Sequence, residues 1–130
     1  KVTEPYLVDA LSFTEAEARI IEEIRPFITG EFTVTDVKRA RLSELFFNEN
    51  GDRYYKVKVY FITQDEKTGA EKKISAQMLA QASDLKEAIA VLEEGMKGTL
   101  ADYVIASVSE TPIMDVFPYE APEEEKEDGQ

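Results

Sequence analysis

Leu42-Ser43-Glu44-Leu45-Phe46 and Ile113-Met114-Asp115-Val116-Phe117 are two versions of one pattern, 71 residues apart. At the same offset Phe32-Thr33-Val34 meets Tyr103-Val104-Ile105, and Val37 meets Val108. One residue more, an offset of 72, sets Lys1-Val2-Thr3 against Lys73-Ile74-Ser75, Tyr6-Leu7 against Met78-Leu79 and Ala10 against Ala82. Glu15-Ala16, Ala18 and Glu22 then fall on Glu87-Ala88, Ala90 and Glu94. The chain is written twice, and a long-period repeat dictates architecture ahead of any single residue.

Each copy reads in the same order. Residues 2–10 suggest a strand leading into a helix, with Ser12 as N-cap and Glu15 completing a capping box. Phe13, Ala16, Ile20, Ile24 and Phe27 recur at helical spacing, Pro26 ends the pattern, and Gly30 can close it in a left-handed conformation. Residues 32–47, β-branched and aromatic, make one bent strand or two short ones. In the second copy 72–82 is the strand, Asp84 and Glu87 the capping pair, and Leu85, Ala88, Leu92 and Met96 the buried stripe. Residues 103–117 return as a strand that Pro112 interrupts.

Between the copies lies a segment the first one lacks. Asn50-Gly51 signals a hairpin, 54–63 is the best strand of the chain, and 65–69 turns it back toward Lys72. The full unit is strand, helix and strand preceded by one more strand, so the first strand of the first repeat is missing. On this reading the parent protein carries roughly 15 to 25 further residues upstream. The expected fold is α+β: two tandem ββαβ-like repeats on one antiparallel sheet, both helices covering one face. Residues 1–119 form a single domain of two pseudo-repeats, 1–47 and 54–119. Residues 120–130, rich in glutamate, read as a disordered acidic tail.

Composition narrows the chemistry. The chain has 130 residues, 43% of them hydrophobic, which suits one core, and no run approaches the roughly 18 apolar residues of a membrane span. With no cysteine, disulfides and thiolate metal sites are excluded, and a reducing, cytoplasmic setting is expected. With no histidine, the commonest general base is gone. There is no nucleophile elbow and no P-loop spacing. Glu44 and Asp115, at matching positions of the repeat, are better read as two edge acids than as a metal pair. A non-enzymatic protein without cofactor or metal is the expectation.

The net charge of −12, of which −5 sits on 120–130, argues against strong nonspecific binding to duplex nucleic acid. A local basic face remains open. In the strand 54–62, Tyr55, Val57, Val59 and Phe61 alternate with Tyr54, Lys56, Lys58 and Tyr60. The first set suits the helix-covered face. The second interleaves rings and ammonium groups as binders of single-stranded nucleic acid do. Arg39 and Arg41 share a strand face and could extend it, as could Arg53. The competing reading is a protein-interaction or assembly module, with the same face as a dimer or partner interface. The acidic tail could occupy a basic surface in place of nucleic acid.

The runs Thr3-Glu4-Pro5-Tyr6-Leu7-Val8-Asp9-Ala10, Phe13-Thr14-Glu15-Ala16-Glu17-Ala18, Gly30-Glu31-Phe32-Thr33-Val34, Leu92-Glu93-Glu94-Gly95-Met96 and Met114-Asp115-Val116-Phe117-Pro118 resemble an uncharacterised family of short acidic proteins from gut anaerobic bacteria and their phages. The resemblance spans about residues 1–119. It implies an additional strand ahead of Lys1, carries no catalytic residues, and through its phage association favours a nucleic-acid or replication-accessory role.

Overall fold

The computed structural model describes residues 3–118; the expected acidic tail, 120–130, lies outside them. Six strands and two helices follow in the order β1 (Leu7–Val8), α1 (Phe13–Ile24), β2 (Glu44–Phe46), β3 (Arg53–Gln64), β4 (Glu71–Ala82), α2 (Leu85–Gly95), β5 (Asp102–Glu110) and β6 (Val116–Phe117). The α+β class is as expected. The strands, however, divide between two sheets, β1-β6 and β2-β4-β3-β5, and the pairs β1-β6 and β2-β4 are parallel.

The chain separates into two compact units, Lys1–Ala40 with Asp115–Gln130, and Arg41–Met114. Neither unit is a repeat. Each joins strands from both copies, and it does so in one register. Leu7 pairs with Val116 and Val8 with Phe117 in the first unit; Leu45 pairs with Leu79 and Phe46 with Ala80 in the second. Shifted by the repeat offsets, these are the same pairs. The pairing is consistent with the repeat read in the sequence, the last strand of each copy lying beside the strand that precedes the helix in the other.

In the second unit β3 and β4 form a long antiparallel ladder across the turn 65–70. Asp65 caps that turn, its side chain accepting from the Lys67 amide at 2.8 Å, and Gly69 supplies a left-handed φ of 73°. The Asn50-Gly51 signal is not a hairpin turn, since β4 lies between β2 and β3. Residues 47–52 instead cross the end of β4. The Gln81 side chain accepts from the Asn48 amide (2.9 Å) and donates to the Gly51 carbonyl (3.1 Å), while the Ser83 hydroxyl reaches the Asn50 carbonyl (3.2 Å). Gly51 is buried against the Ala82 backbone with no room for a Cβ and without a positive φ. Glycine is needed there for closeness, not for a left-handed turn.

Helix α2 lies on this sheet, packed against β4, β5 and β2. Tyr55, Val57 and Val59 of β3, Met78, Ala80 and Ala82 of β4, and Ala88, Leu92 and Met96 form the core. Burying such side chains stabilises by about 1.5–3 kcal/mol for each large one. A β-bulge between Lys58 and Val59 leaves Ala106 of β5 as the extra residue, so Tyr103, Ile105 and Val108 all turn toward the core.

The helix caps follow the sequence. Ser12 Oγ accepts from the Glu15 amide (3.1 Å), and Glu15 Oε1 from the Leu11 amide (2.7 Å). Asp84 and Glu87 repeat this with the Glu87 and Ser83 amides at 2.8 and 2.6 Å. In the first unit the Arg19 guanidinium donates to the Asp9 carbonyl and, at 3.3 Å, to the Pro118 carbonyl, tying α1 to the ends of β1 and β6. The strand expected over 32–47 shrinks to β2, and that over 2–10 to β1; residues 31–42 pair with no strand among the described residues. The expected return over 103–117 breaks after Glu110, so β5 and β6 belong to different sheets.

Candidate binding face

Period two fixes the two faces of β3. Tyr55, Val57 and Val59 point into the α2 core, as the alternation requires. The opposite face is read off the register, because residues paired across an antiparallel ladder share a face. Lys56 sits between Leu79 and Ser109, Lys58 between Gln77 and Ser107, and Tyr60 between Ser75 and Val104. The ammonium of Lys58 lies 5.4 Å from the Tyr60 ring centroid, a cation–π contact that leaves the outer side of the ammonium for solvent or an anion.

The sequence placed six candidates here, and the structure distributes them unevenly. Lys56 is exposed, Lys58 and Tyr60 are half-buried, and the three follow one another along one face. Tyr54 shares the face at the row of Gln81, but it is only 6% exposed. A ring so buried cannot serve as a stacking surface, and the alternation alone gave no sign of its burial. Arg39 and Arg41 are exposed on a segment without strand pairing, so the shared strand face assumed for them does not form. They also fall in different units, Arg39 in Lys1–Ala40 and Arg41 in Arg41–Met114. Arg53, at the start of β3, is compensated. Its hydrogen bond to Tyr55, then the charges of Glu110 (3.9 Å) and Asp52 (4.0 Å), hold its guanidinium pKa above the usual value.

What sequence reasoning missed is the neutral lining. Gln77, Ser107 and Ser109 flank the lysines and Ser75 flanks Tyr60, with Leu79 and Val104 completing the rows; all are supplied by neighbouring strands and visible only through the register. In the three rows from Lys56 to Tyr60 there is no carboxylate. The first acid on the face is Asp102, one row beyond, where Ile62 lies between it and Lys73. Among the described residues Lys56 and Lys58 form no ion pair.

Elsewhere the chemistry is sparse. Among the described residues no three carboxylates gather as a metal site. Glu44 is exposed on β2, and Asp115 Oδ1 accepts from the Val116 amide at 2.8 Å. The cleft lined by Ser43, Glu44, Phe46, Phe61, Met78 and Gly95 holds a single carboxylate. Among the described residues no helix is long and apolar enough to cross a membrane. Comparisons with curated proteins and with solved structures found no match. The comparison with protein families did: its match over residues 1–119 shows that the chain belongs to the family described as a domain of unknown function, DUF4494.

Proposed function

We propose that this domain is a non-enzymatic binding protein that holds single-stranded nucleic acid against the face carrying Lys56, Lys58 and Tyr60. The carrying observation is the acid-free strip. In a chain with 27 acidic and 15 basic side chains, three consecutive rows of this face hold two lysines, a tyrosine, three serines and a glutamine, beside the buried Leu79 and the exposed Val104, without a carboxylate. Lysines contribute phosphate contacts, Tyr60 a partial ring surface, and Ser and Gln side chains hydrogen bonds to base edges or sugar. Arg41 is an exposed cation of the same unit, Arg39 an exposed cation of the other, and Tyr54 is buried at the end of the face. A cytoplasmic location and a phage-type, replication-accessory role belong to the same reading. In it the acidic tail competes with the ligand.

The test is fluorescence anisotropy of labelled oligo(dT) and oligo(dA) with the full chain at two salt concentrations, beside Lys56→Ala/Lys58→Ala. The salt slope of log K should fall by about 1.4 in the double variant, at ~0.7 for each lost single-strand phosphate contact. Absence of salt-sensitive binding at about 10–100 μM protein, the nonspecific range, would overturn the reading. The face would then stand as a protein or dimer interface, which sedimentation of the same samples reads out.

A further inference from the structure

The first unit has the outline of the second with its central strand removed. Residues 31–39 copy the burial of β5 position by position at the offset of 71: Phe32, Val34 and Val37 are half-buried where Tyr103, Ile105 and Val108 are, and the six between and around them are exposed in both. Even the irregular spacing that the bulge imposes on β5 is present. Yet β5 is hydrogen-bonded to β3, whereas 31–39 pairs with no strand among the described residues.

The same deficit appears along β1 and α1. Tyr6, Val8, Ala10, Ala16 and Ile20 are half-buried, while their counterparts Met78, Ala80, Ala82, Ala88 and Leu92 are 2, 0, 0, 0 and 0% exposed. What seals those counterparts in the second unit is β3, through Tyr55, Val57 and Val59. Strand β1 also has an edge to offer. The amides of Leu7 and Asp9 donate to the carbonyls of Asp115 and Phe117. Since successive backbone groups alternate, those of Tyr6 and Val8 point to the other edge, the one that in β4 faces β3.

We propose that the first unit is a strand-accepting site: it binds an extended polypeptide segment antiparallel to β1 and to residues 31–39. That segment has β3's chemistry, with large apolar or aromatic side chains at alternate positions: in β3's register two lie opposite Val8 and Tyr6, and the third opposite the exposed Glu4. Residues 119–130 contain no such alternation, so the occupant is not the acidic tail. Main-chain hydrogen bonds supply the affinity of such strand addition, and the alternate side chains its specificity. This surface is independent of the lysine face.

The register also says how to test it. Lys1 is the counterpart of Lys73, so a duplicate of residues 53–72 placed ahead of Lys1 delivers β3's sequence and its turn in phase. Hydrogen exchange is compared among the chain as it stands, this fusion, and a fusion with Tyr55→Ser, Val57→Ser and Val59→Ser made in the duplicate only. Amides of 31–39, Tyr6 and Val8 should slow by at least about tenfold in the first fusion and return to the parent rates in the second. Exchange of β4 and β5 should be unchanged in all three, which separates true completion from displacement of the native β3. Unchanged exchange over 31–39 in the first fusion, or equal slowing in the serine control, would overturn the proposal.

Discussion

Two glycines show how contact overrides propensity at the level of single residues. A Cβ on Gly95 would overlap the Phe46 ring, and one on Gly51 would land on the Ala82 backbone. Helix propensity alone would favour Gly95→Ala by about 1 kcal/mol. Overpacking typically costs about 1–3 kcal/mol, so the variant should be less stable than the parent in urea unfolding. In a Phe46→Ala background the same change should become neutral or stabilising, a coupling that a double-mutant cycle measures. Gly51→Ala has no side chain to push aside and should cost about 3 kcal/mol or more. Tyr6 carries the one pH-linked prediction. Burial first, then its 3.0 Å hydrogen bond to Glu4 and the charges of Glu4 and Asp115, raise the pKa of its phenol. A folded-state value above the unfolded one favours folding fully below about pH 10 and loses that contribution as pH rises through the raised value. The alkaline fall in stability should therefore be shallower in Tyr6→Phe, as followed by chemical denaturation across pH.

Among the elements, helices were legible because their signals are local. A capping box spans four residues, and both Ser12-Glu15 and Asp84-Glu87 form as read. Replacing Ser12 or Asp84 by alanine should each cost about 1 kcal/mol, read from urea midpoints. Strand β3 was legible for the same reason, its alternation fixing Tyr55, Val57 and Val59 as core. The spacing of Phe32, Val34 and Val37 held a subtler message, since the jump of three matches the bulge in β5. Pairings between distant strands were not legible. Asn50-Gly51 carries a turn signal whether the chain turns back or straps across β4, and only the Gln81 contacts reveal which. The candidate face was half-visible: its lysines lie on one strand, but the serines and Gln77 come from others, and Tyr54 is buried without a local cue. Arg39 and Arg41 were misplaced because a strand's composition does not supply a strand's partner.

At the scale of the molecule, the two units differ in how deeply they bury their chains. In the second, Val57, Val59, Ala80, Ala82, Ala88 and Leu92 are all 0% exposed, whereas in the first only Ile24 and Val116 among the described residues are buried. Amides of β3 and β4 should exchange slowest and those of α1 and 31–39 fastest, so hydrogen exchange should resolve two opening free energies rather than one. The charge balance acts on the whole. Ion pairs among the described residues lie at or near the surface and are worth little each, while a net charge of −12 repels itself. Added sodium chloride should raise the melting temperature; a fall would mean that the pairs outweigh the repulsion.

The reciprocal pairing of strands has a consequence for how the protein is made. β1 lies near the amino end of these residues, and its partner β6 near the carboxyl end. On the ribosome, β1 and α1 emerge ahead of the second unit but cannot pair with β6 until Val116 and Phe117 have been translated. At ~5–20 residues per second the wait between Ala40 and Asp115 is about 4–15 s. The second unit, continuous from Arg41 to Met114, has all its strands before the first can finish. Strand β1 is thus made before the second unit and secured after it, and a ribosome stalled before Val116 holds a nascent chain in which β1 still lacks its β6 partner.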